Sequence, residues 1–192
     1  MRKGISMIDT LRDFIEKMER LRIDYMVTGS YAMAAYGEIR MTRDIDIVID
    51  IAANDANGFF ELFKDEYYVS ENSIRRAIDR KNMFNVVNNI HGGKIDCIVH
   101  KNTEFGRSSF ARRYREVVAD VEFWATTRED LMIAKLQWAS DSQSEMQIRD
   151  IANLTCKTYD AEYVENWIDR LNLRSIWSEV NIWKTQHKPL EN

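Results

Sequence analysis

Three aspartates alternate with isoleucines in residues 44–51, DIDIVIDI. Alternation with a period of two is typical of a β-strand with one buried face. In such a strand Asp44 and Asp46 point the same way, with backbones roughly 6–7 Å apart, while the isoleucines enter the core. Neighbouring ionised carboxylates repel unless a cation neutralises them, and Mg²⁺ does so while also binding substrate phosphates. The motif is also compatible with a simpler explanation, an acidic strand face that is exposed to solvent.

The residues just upstream favour the chemical explanation. Residues 25–28 are predicted to form a short strand, Gly29 and Ser30 a turn, and residues 31–36 a helix. A strand, a turn and a helix start in this order direct backbone N–H groups at an anion. Gly29 permits close approach of a phosphate, and Ser30 adds a hydroxyl donor. With thirteen residues between Ser30 and Asp44, the two features together indicate binding of a nucleoside triphosphate with Mg²⁺.

The pattern of predicted elements divides the chain into two regions. The first mixes helices and strands, with helices at 6–22, 54–64, 71–80 and 104–113, a hairpin at 82–99 and one or two strands at 115–125. The second is helical, at 128–141, 144–157, 161–171 and 173–186, with Thr127 and Asp160 as N-cap residues. We therefore expect an α+β domain at 1–125 and a helical region at 126–192 packed on it.

The composition is that of a folded, helix-rich globular protein. The chain has 192 residues, of which 45% are hydrophobic and one is proline. No apolar run approaches the roughly 20 residues of a membrane span, and the N-terminus lacks the apolar core of a signal peptide. We expect a cytoplasmic protein with no membrane partner. Cys97 and Cys156 fit reduced thiols there, Cys97 as an inert apolar residue, and neither belongs to a CxxC pair that would suggest zinc.

Charge is distributed unevenly along the chain. The formal net charge is −4, yet residues 71–115 contain ten basic and four acidic side chains, so that this segment is +6 and the remainder −10. A basic zone on an acidic protein suggests an anionic partner. Solvated helix faces explain the same zone equally well.

Two stretches, VTGS at 27–30 and RDIDIVI at 43–49, form a recognisable pattern. A hydrophobic residue, Gly and Ser are followed, after about a dozen residues, by Asp-hydrophobic-Asp-hydrophobic. In this pattern the chain resembles the nucleotidyltransferase superfamily, which has the DNA polymerase β fold. The resemblance implies a mixed β-sheet flanked by helices as the catalytic domain at 1–125, followed by a C-terminal helical bundle.

A longer match indicates one group within that superfamily. The run Arg40-Met-Thr42-Arg-Asp44 resembles small bacterial nucleotidyltransferases of the AbiEii toxin type. TREDLMIAKL at 127–136 resembles the helix after their catalytic domain, with Lys135 at the lysine position. QIRD at 147–150 resembles the Arg-Asp that follows. The resemblance covers about residues 22 to 155.

The resemblance also implies a third carboxylate on a neighbouring strand. Asp96 in KIDCIV is the candidate, because alternation directs it away from the core side. Asp50 is the rival, although it lies about 13 Å from Asp46 along an extended strand. The catalytic and metal-binding residues implied are Asp44, Asp46 and Asp96, which would hold two Mg²⁺ ions.

The implied reaction is in-line attack of an acceptor oxygen on the α-phosphate of an NTP, with pyrophosphate leaving. Asp96 would hold the metal nearer the acceptor and accept its proton. Lys135 either reaches the triphosphate or lies along the helix surface. Asp150 could hydrogen-bond within the site, but we expect it at the helix surface. The residues predicted to bind the NTP co-substrate are Gly29, Ser30, Arg40, Arg43 and Lys135; for the two arginines, an ion pair with Glu38 or Asp44 is the alternative.

The acceptor and the biological role stay open at the level of sequence. RNA, a protein hydroxyl and a small molecule such as an aminoglycoside are all compatible, and the basic segment favours RNA. A toxin with a cognate antitoxin partner follows from the resemblance alone. The alternatives are a minimal nucleotidyltransferase antitoxin that AMPylates a partner toxin, a catalytically silent nucleotide- or RNA-binding module, and a scaffold protein with an exposed acidic strand.

Overall fold

The computed structural model describes residues 7–38, 42, 44–90 and 92–187. The chain forms two compact units, Met1–Thr126 and Thr127–Asn192. None of the helices in the described residues has the length and apolarity needed to cross a membrane. The assignment of a catalytic role to the first unit stays a prediction.

The first unit is built from strands and short helices that alternate along the chain. Its helices are α1 Met7–Leu21, α2 Gly29–Ala32, α3 Ala56–Phe63, α4 Glu71–Arg80 and α5 Glu104–Ala111, with a 3-10 turn Met33–Tyr36 directly after α2. Its strands are β1 Tyr25–Thr28, β2 Asp44–Ile49, β3 Tyr67–Tyr68, β4 Met83–Asn88, β5 Lys94–Val99, β6 Tyr114–Val118 and β7 Val121–Ala125.

The strands form one mixed sheet with β2 at its centre. The order within the described residues is β3-β4-β5-β2-β1-β7-β6. β2 is parallel to β5 and β1 is parallel to β7, while the other neighbours are antiparallel. Ile45, Ile47 and Ile49 of β2 are fully buried, as their alternation with polar residues predicts. The α+β class and the mixed sheet expected from the sequence are thereby confirmed.

Two local details differ from the predictions. Gly29 and Ser30 do not form a separate turn but are the first residues of α2, with Gly29 in the left-handed region at φ +64°. β3 has only two residues, too few to show an alternating pattern. It is held instead by tertiary contacts: Tyr67 is buried and donates a hydrogen bond of 2.5 Å to Asp13 Oδ2.

The second unit consists of helices throughout its described part, at α6 Arg128–Ser142, α7 Glu145–Leu154, α8 Ala161–Arg170 and α9 Arg174–Gln186. The two predicted N-caps are present. Thr127 Oγ1 accepts a hydrogen bond from the Asp130 backbone N–H at 3.3 Å, and Asp160 Oδ1 accepts one from the Tyr163 N–H at 3.0 Å. Such caps satisfy backbone donors that the first turn of a helix leaves unpaired.

The two cysteines lie in contrasting environments, so their reactivity tests whether Cys97 is buried in the sheet. Cys97 is fully buried on β5, and burial together with the neighbouring Asp96 charge raises the pKa of its thiol well above the ordinary value. Cys156 is exposed. Because the thiolate is the reactive form, we expect Ellman's reagent to modify one thiol in the native protein and both in denaturant. The variant Cys156→Ser should show no fast reaction; modification of both thiols in the native protein would contradict the buried position of Cys97.

Candidate active site

Charged residues of β2 and β5 lie side by side on one face of the sheet. In the parallel pairing, Asp44 is opposite Lys94 and Asp46 is opposite Asp96. Paired residues of neighbouring strands are roughly 4.8 Å apart and point to the same face. The sheet thus brings Asp46 and Asp96 together although 49 residues lie between them in the sequence. Asp44 and Asp46 are half-buried, and Asp96 is buried.

Lys94 is the ion-pair partner of Asp96. Its Nζ donates a hydrogen bond of 2.9 Å to Asp96 Oδ2 and lies 2.8 Å from Oδ1. The contact with Oδ1 lacks hydrogen-bond geometry, so this buried oxygen has no hydrogen-bond donor among the described residues. The hydrogen bond to Asp96, followed by the charges of Asp96, Asp44 and Asp46, raises the pKa of Lys94. Lys94 therefore carries its positive charge within the carboxylate cluster.

The Asp44 carboxylate contacts the Thr42 hydroxyl and lies near the Lys94 ammonium. Thr42 Oγ1 donates a hydrogen bond of 2.9 Å to Asp44 Oδ1 and also lies 2.9 Å from the Asp44 carbonyl oxygen. Asp44 Oδ2 lies 3.7 Å from Lys94 Nζ. The side chain of Asp44 is 41% exposed, so its carboxylate remains accessible to a ligand from solvent.

The start of α2 lies directly against these carboxylates. Thr28, the last residue of β1, pairs with Asp46 of β2. A Cβ atom built on Gly29 would lie 1.9 Å from Asp46 Oδ2 and 2.6 Å from its Cγ. Only glycine leaves room for the Asp46 carboxylate at this position. Ser30 follows as a buried residue, so the Gly-Ser pair and the acidic strand meet at one place in the fold.

The donor atoms suit Mg²⁺, although they do not surround a common point. Carboxylate oxygens are the ligands that Mg²⁺ prefers, and an ammonium already neutralises part of the cluster. Among the described residues, no group of three His, Cys, Asp or Glu side chains is arranged to hold a metal ion. Asp96 instead turns both oxygens towards Lys94, and Asp44 turns one towards Thr42.

Asp50, the rival third carboxylate, lies beyond the opposite end of β2. Its side chain is 55% exposed, and its Oδ1 is 3.5 Å from His100 Nδ1. Proximity to Asp46 therefore favours Asp96. The roles of both residues, and of Gly29 and Ser30, stay predictions. Arg40 and Arg43 lie outside the described residues.

Two hydrogen-bond partners of Lys135 lie within the helical unit. Its Nζ donates hydrogen bonds to Asp150 Oδ2 at 2.9 Å and to Gln147 Oε1 at 3.0 Å. Lys135 is 4% exposed and Asp150 is 1% exposed. The expectation that Asp150 lies at the helix surface was wrong, as was the alternative of a surface Lys135, because each charge satisfies the other in the space between α6 and α7. A contact of Lys135 with a triphosphate stays a prediction.

Sequence reasoning missed Lys94 as part of this cluster and counted it only within the basic segment. The signal was present, since Lys94 and Asp96 are two residues apart on one strand and therefore share a face. Other cations of that segment are also engaged within the protein. Arg75 pairs with Glu71 at 2.7 Å, and Arg113 pairs with Asp24 at 3.3 Å. These pairs favour the explanation of the basic zone by internal ion pairs and solvated faces.

Solved structures with the same fold are nucleotidyltransferases. The solution structure of the antibiotic-resistance factor ANT(2'')-Ia is 15% identical, with a TM-score of 0.60 over 94% of this chain and 97% of that one. The lincomycin-bound lincosamide adenylyltransferase LnuA is 14% identical, with a TM-score of 0.55 over 81% and 100%. A nucleotidyltransferase-like protein from Paracoccidioides brasiliensis is 16% identical, with a TM-score of 0.55 over 90% and 91%.

No protein-family model and no curated protein sequence matches the chain. At identities below 25%, the structural likenesses define the fold. This protein has the nucleotidyltransferase fold, a mixed β-sheet flanked by helices and followed by C-terminal helices.

Gly29 provides a test of the junction between α2 and the carboxylates. We expect Gly29→Ala to lower the free energy of unfolding by about 1–3 kcal/mol, because alanine is strained at positive φ and its Cβ overlaps Asp46. Gly58→Ala is the matched control: a Cβ there meets only Leu21 Cδ2 at 3.7 Å, at an exposed position of α3, so it should stabilise by about 0.5–1 kcal/mol. Urea unfolding measures both variants; equal effects would place Gly29 away from Asp46.

The buried Lys135–Asp150 pair predicts a large cost for single substitutions. Lys135→Met should destabilise the helical unit by about 3–5 kcal/mol, because it removes the ammonium that pairs with the buried Asp150 carboxylate. The double variant Lys135→Met/Asp150→Leu should recover much of this loss. Tryptophan fluorescence during urea unfolding reports on this unit, which contains four of the five tryptophans.

Lys64→Met, which removes an exposed pair with Glu61, is the control and should leave the urea midpoint unchanged. A Lys135→Met variant as stable as this control would show that the pair is not buried in solution.

Proposed function

We propose that this protein is a Mg²⁺-dependent nucleotidyltransferase, which transfers a nucleoside monophosphate from an NTP to an acceptor hydroxyl and releases pyrophosphate. The observation that carries the proposal is the in-register pairing of Asp46 with Asp96 directly against Gly29. The proximity of these carboxylates to a Gly-Ser helix start supports metal-assisted phosphoryl chemistry. The nucleotidyltransferase fold supports the same conclusion.

Asp44 and Asp46 are the residues that would hold Mg²⁺. When bound, the ion neutralises triphosphate charge and makes the α-phosphorus more susceptible to attack. Asp96, adjacent to Asp46, accepts the proton of the acceptor hydroxyl. The new bond joins the acceptor oxygen to the α-phosphorus, and the bond from the α-phosphorus to the bridging oxygen breaks as pyrophosphate leaves.

The remaining predicted residues serve the triphosphate. The Gly29 backbone, which lies beside Asp46, and the following Ser30 contact the β- and γ-phosphates. Arg40 and Arg43, which flank the acidic strand in the sequence, offset triphosphate charge. Lys135 would have to exchange its pairing with Asp150 for a phosphate. The use of an NTP also implies a cytoplasmic location.

RNA is the acceptor class that we propose first, from the AbiEii-type motif. A toxin role with a cognate antitoxin would follow from the same motif. A small molecule is the second candidate, because structures of this fold include LnuA with lincomycin and ANT(2'')-Ia with adenylyl-2''-tobramycin. The two candidates differ in the mass of the labelled product, so that one assay separates them.

Incubation with each α-³²P-labelled NTP, Mg²⁺ and one acceptor pool tests the proposal. The pools are total cellular RNA, lysate protein, and a mixture of aminoglycosides and lincosamides. We expect label transfer from at least one NTP to one pool. Asp44→Asn and Asp96→Asn should reduce transfer to the level of a reaction without protein, because each removes a charge from the proposed site.

Asp50→Asn is the matched control, since it removes a carboxylate at the other end of the same strand, and it should transfer label at the wild-type rate. Loss of transfer in Asp50→Asn with retention in Asp96→Asn would reverse the assignment of the third carboxylate. Tight NTP binding without transfer to any pool would instead favour a silent binding module.

A further inference from the structure

The face shared by β2 and β5 carries a cation as well as carboxylates. Asp44 and Asp46 of β2 stand opposite Lys94 and Asp96 of β5. Three carboxylates and one ammonium give these four side chains a formal charge of −2. If the site held two divalent cations, these would already neutralise the carboxylates. The presence of the Lys94 ammonium among them therefore requires an explanation.

Lys94 is paired chiefly with Asp96. Its Nζ lies 2.8 and 2.9 Å from the two oxygens of Asp96 but 3.7 Å from Asp44 Oδ2. The side chain of Asp96 is 9% exposed, and a carboxylate removed from water to this extent needs a close counter-charge. In the described part of the chain, Lys94 is the cation that supplies it.

The pairing also has a fixed geometric origin. Lys94 and Asp96 are two residues apart on β5, so their side chains emerge on one face of the same strand. Parallel pairing with β2 then sets Asp46 beside Asp96 and Asp44 beside Lys94. The ammonium thus lies on the Asp96 side of the cluster, where an acceptor-side metal would otherwise bind.

We propose that Lys94 stays paired with Asp96 when substrate binds and serves as the second cation of the site. The inference rests on the proposed function of nucleotidyl transfer. The site then takes one Mg²⁺, held by Asp44 and Asp46, instead of the two ions that the motif implies. A second ion at Asp96 would meet the ammonium of Lys94 and be repelled.

The number of bound metal ions tests this inference without reference to turnover. Mn²⁺ has the same preference for oxygen ligands as Mg²⁺ and is visible to electron paramagnetic resonance. Full-length protein is titrated with Mn²⁺ in the presence of whichever of the four α,β-methylene nucleoside triphosphates binds most tightly. We expect one Mn²⁺ per wild-type complex and two per Lys94→Met complex, since removal of the ammonium opens Asp96 to a metal.

Two further variants serve as controls. Lys94→Arg keeps a cation beside Asp96 and should bind one Mn²⁺. Lys101→Met removes an exposed lysine shortly after the same strand and should also bind one. If Lys94→Met does not fold, the number of Mn²⁺ ions per wild-type complex still tests the inference. One ion supports it and two ions overturn it.

Failure of the inference and failure of the proposed function give different results. A wild-type complex with two Mn²⁺ ions overturns the role of Lys94 and leaves nucleotidyl transfer intact. A protein that binds none of the four nucleotides overturns both. A single Mn²⁺ in both the wild type and a folded Lys94→Met variant shows that the ammonium does not exclude the second ion, and it also overturns the inference.

Discussion

The balance of charge between β2 and β5 is the constraint on which the candidate site depends. Carboxylates at adjacent positions of neighbouring strands repel one another, and burial of Asp96 makes that repulsion more costly. Lys94 offsets part of it from within the same strand face. Under the proposed function, this face binds a cation together with a triphosphate.

The apolar face of the sheet fixes the register that this arrangement needs. Ile45, Ile47 and Ile49 are fully buried, and a slip of one residue would exchange them for aspartates. Aromatic residues outside β2 strengthen the same core: Phe59 stacks on Phe63 with ring centroids 4.3 Å apart and meets the edge of Phe84 at 5.4 Å. Packing on one face thereby sets the positions of the charges on the other.

Two lysine–aspartate ion pairs in this protein differ in how far they are buried. Lys135 and Asp150 are almost fully enclosed, where separation of the two charges would be costly because little water can replace the lost ion pair. Lys94 is 37% exposed beside Asp96, so its ammonium keeps contact with solvent. The enclosed pair joins α6 and α7, whereas Lys94 of the other pair lies where a ligand can reach it.

The sequence by itself determined the helices, most strands and the identity of the acidic strand with its inward isoleucines. It also determined the helix caps at Thr127 and Asp160. Periodicity and capping can be predicted in this way because they are local properties that a few neighbouring residues specify. Only the tertiary structure decided which charges meet. The pairing of Asp46 with Asp96, the place of Lys94 among the carboxylates and the burial of Lys135 with Asp150 depend on strand order and helix packing. Such contacts join residues distant in sequence, and no local pattern fixes which of several aspartates becomes the neighbour of a given lysine.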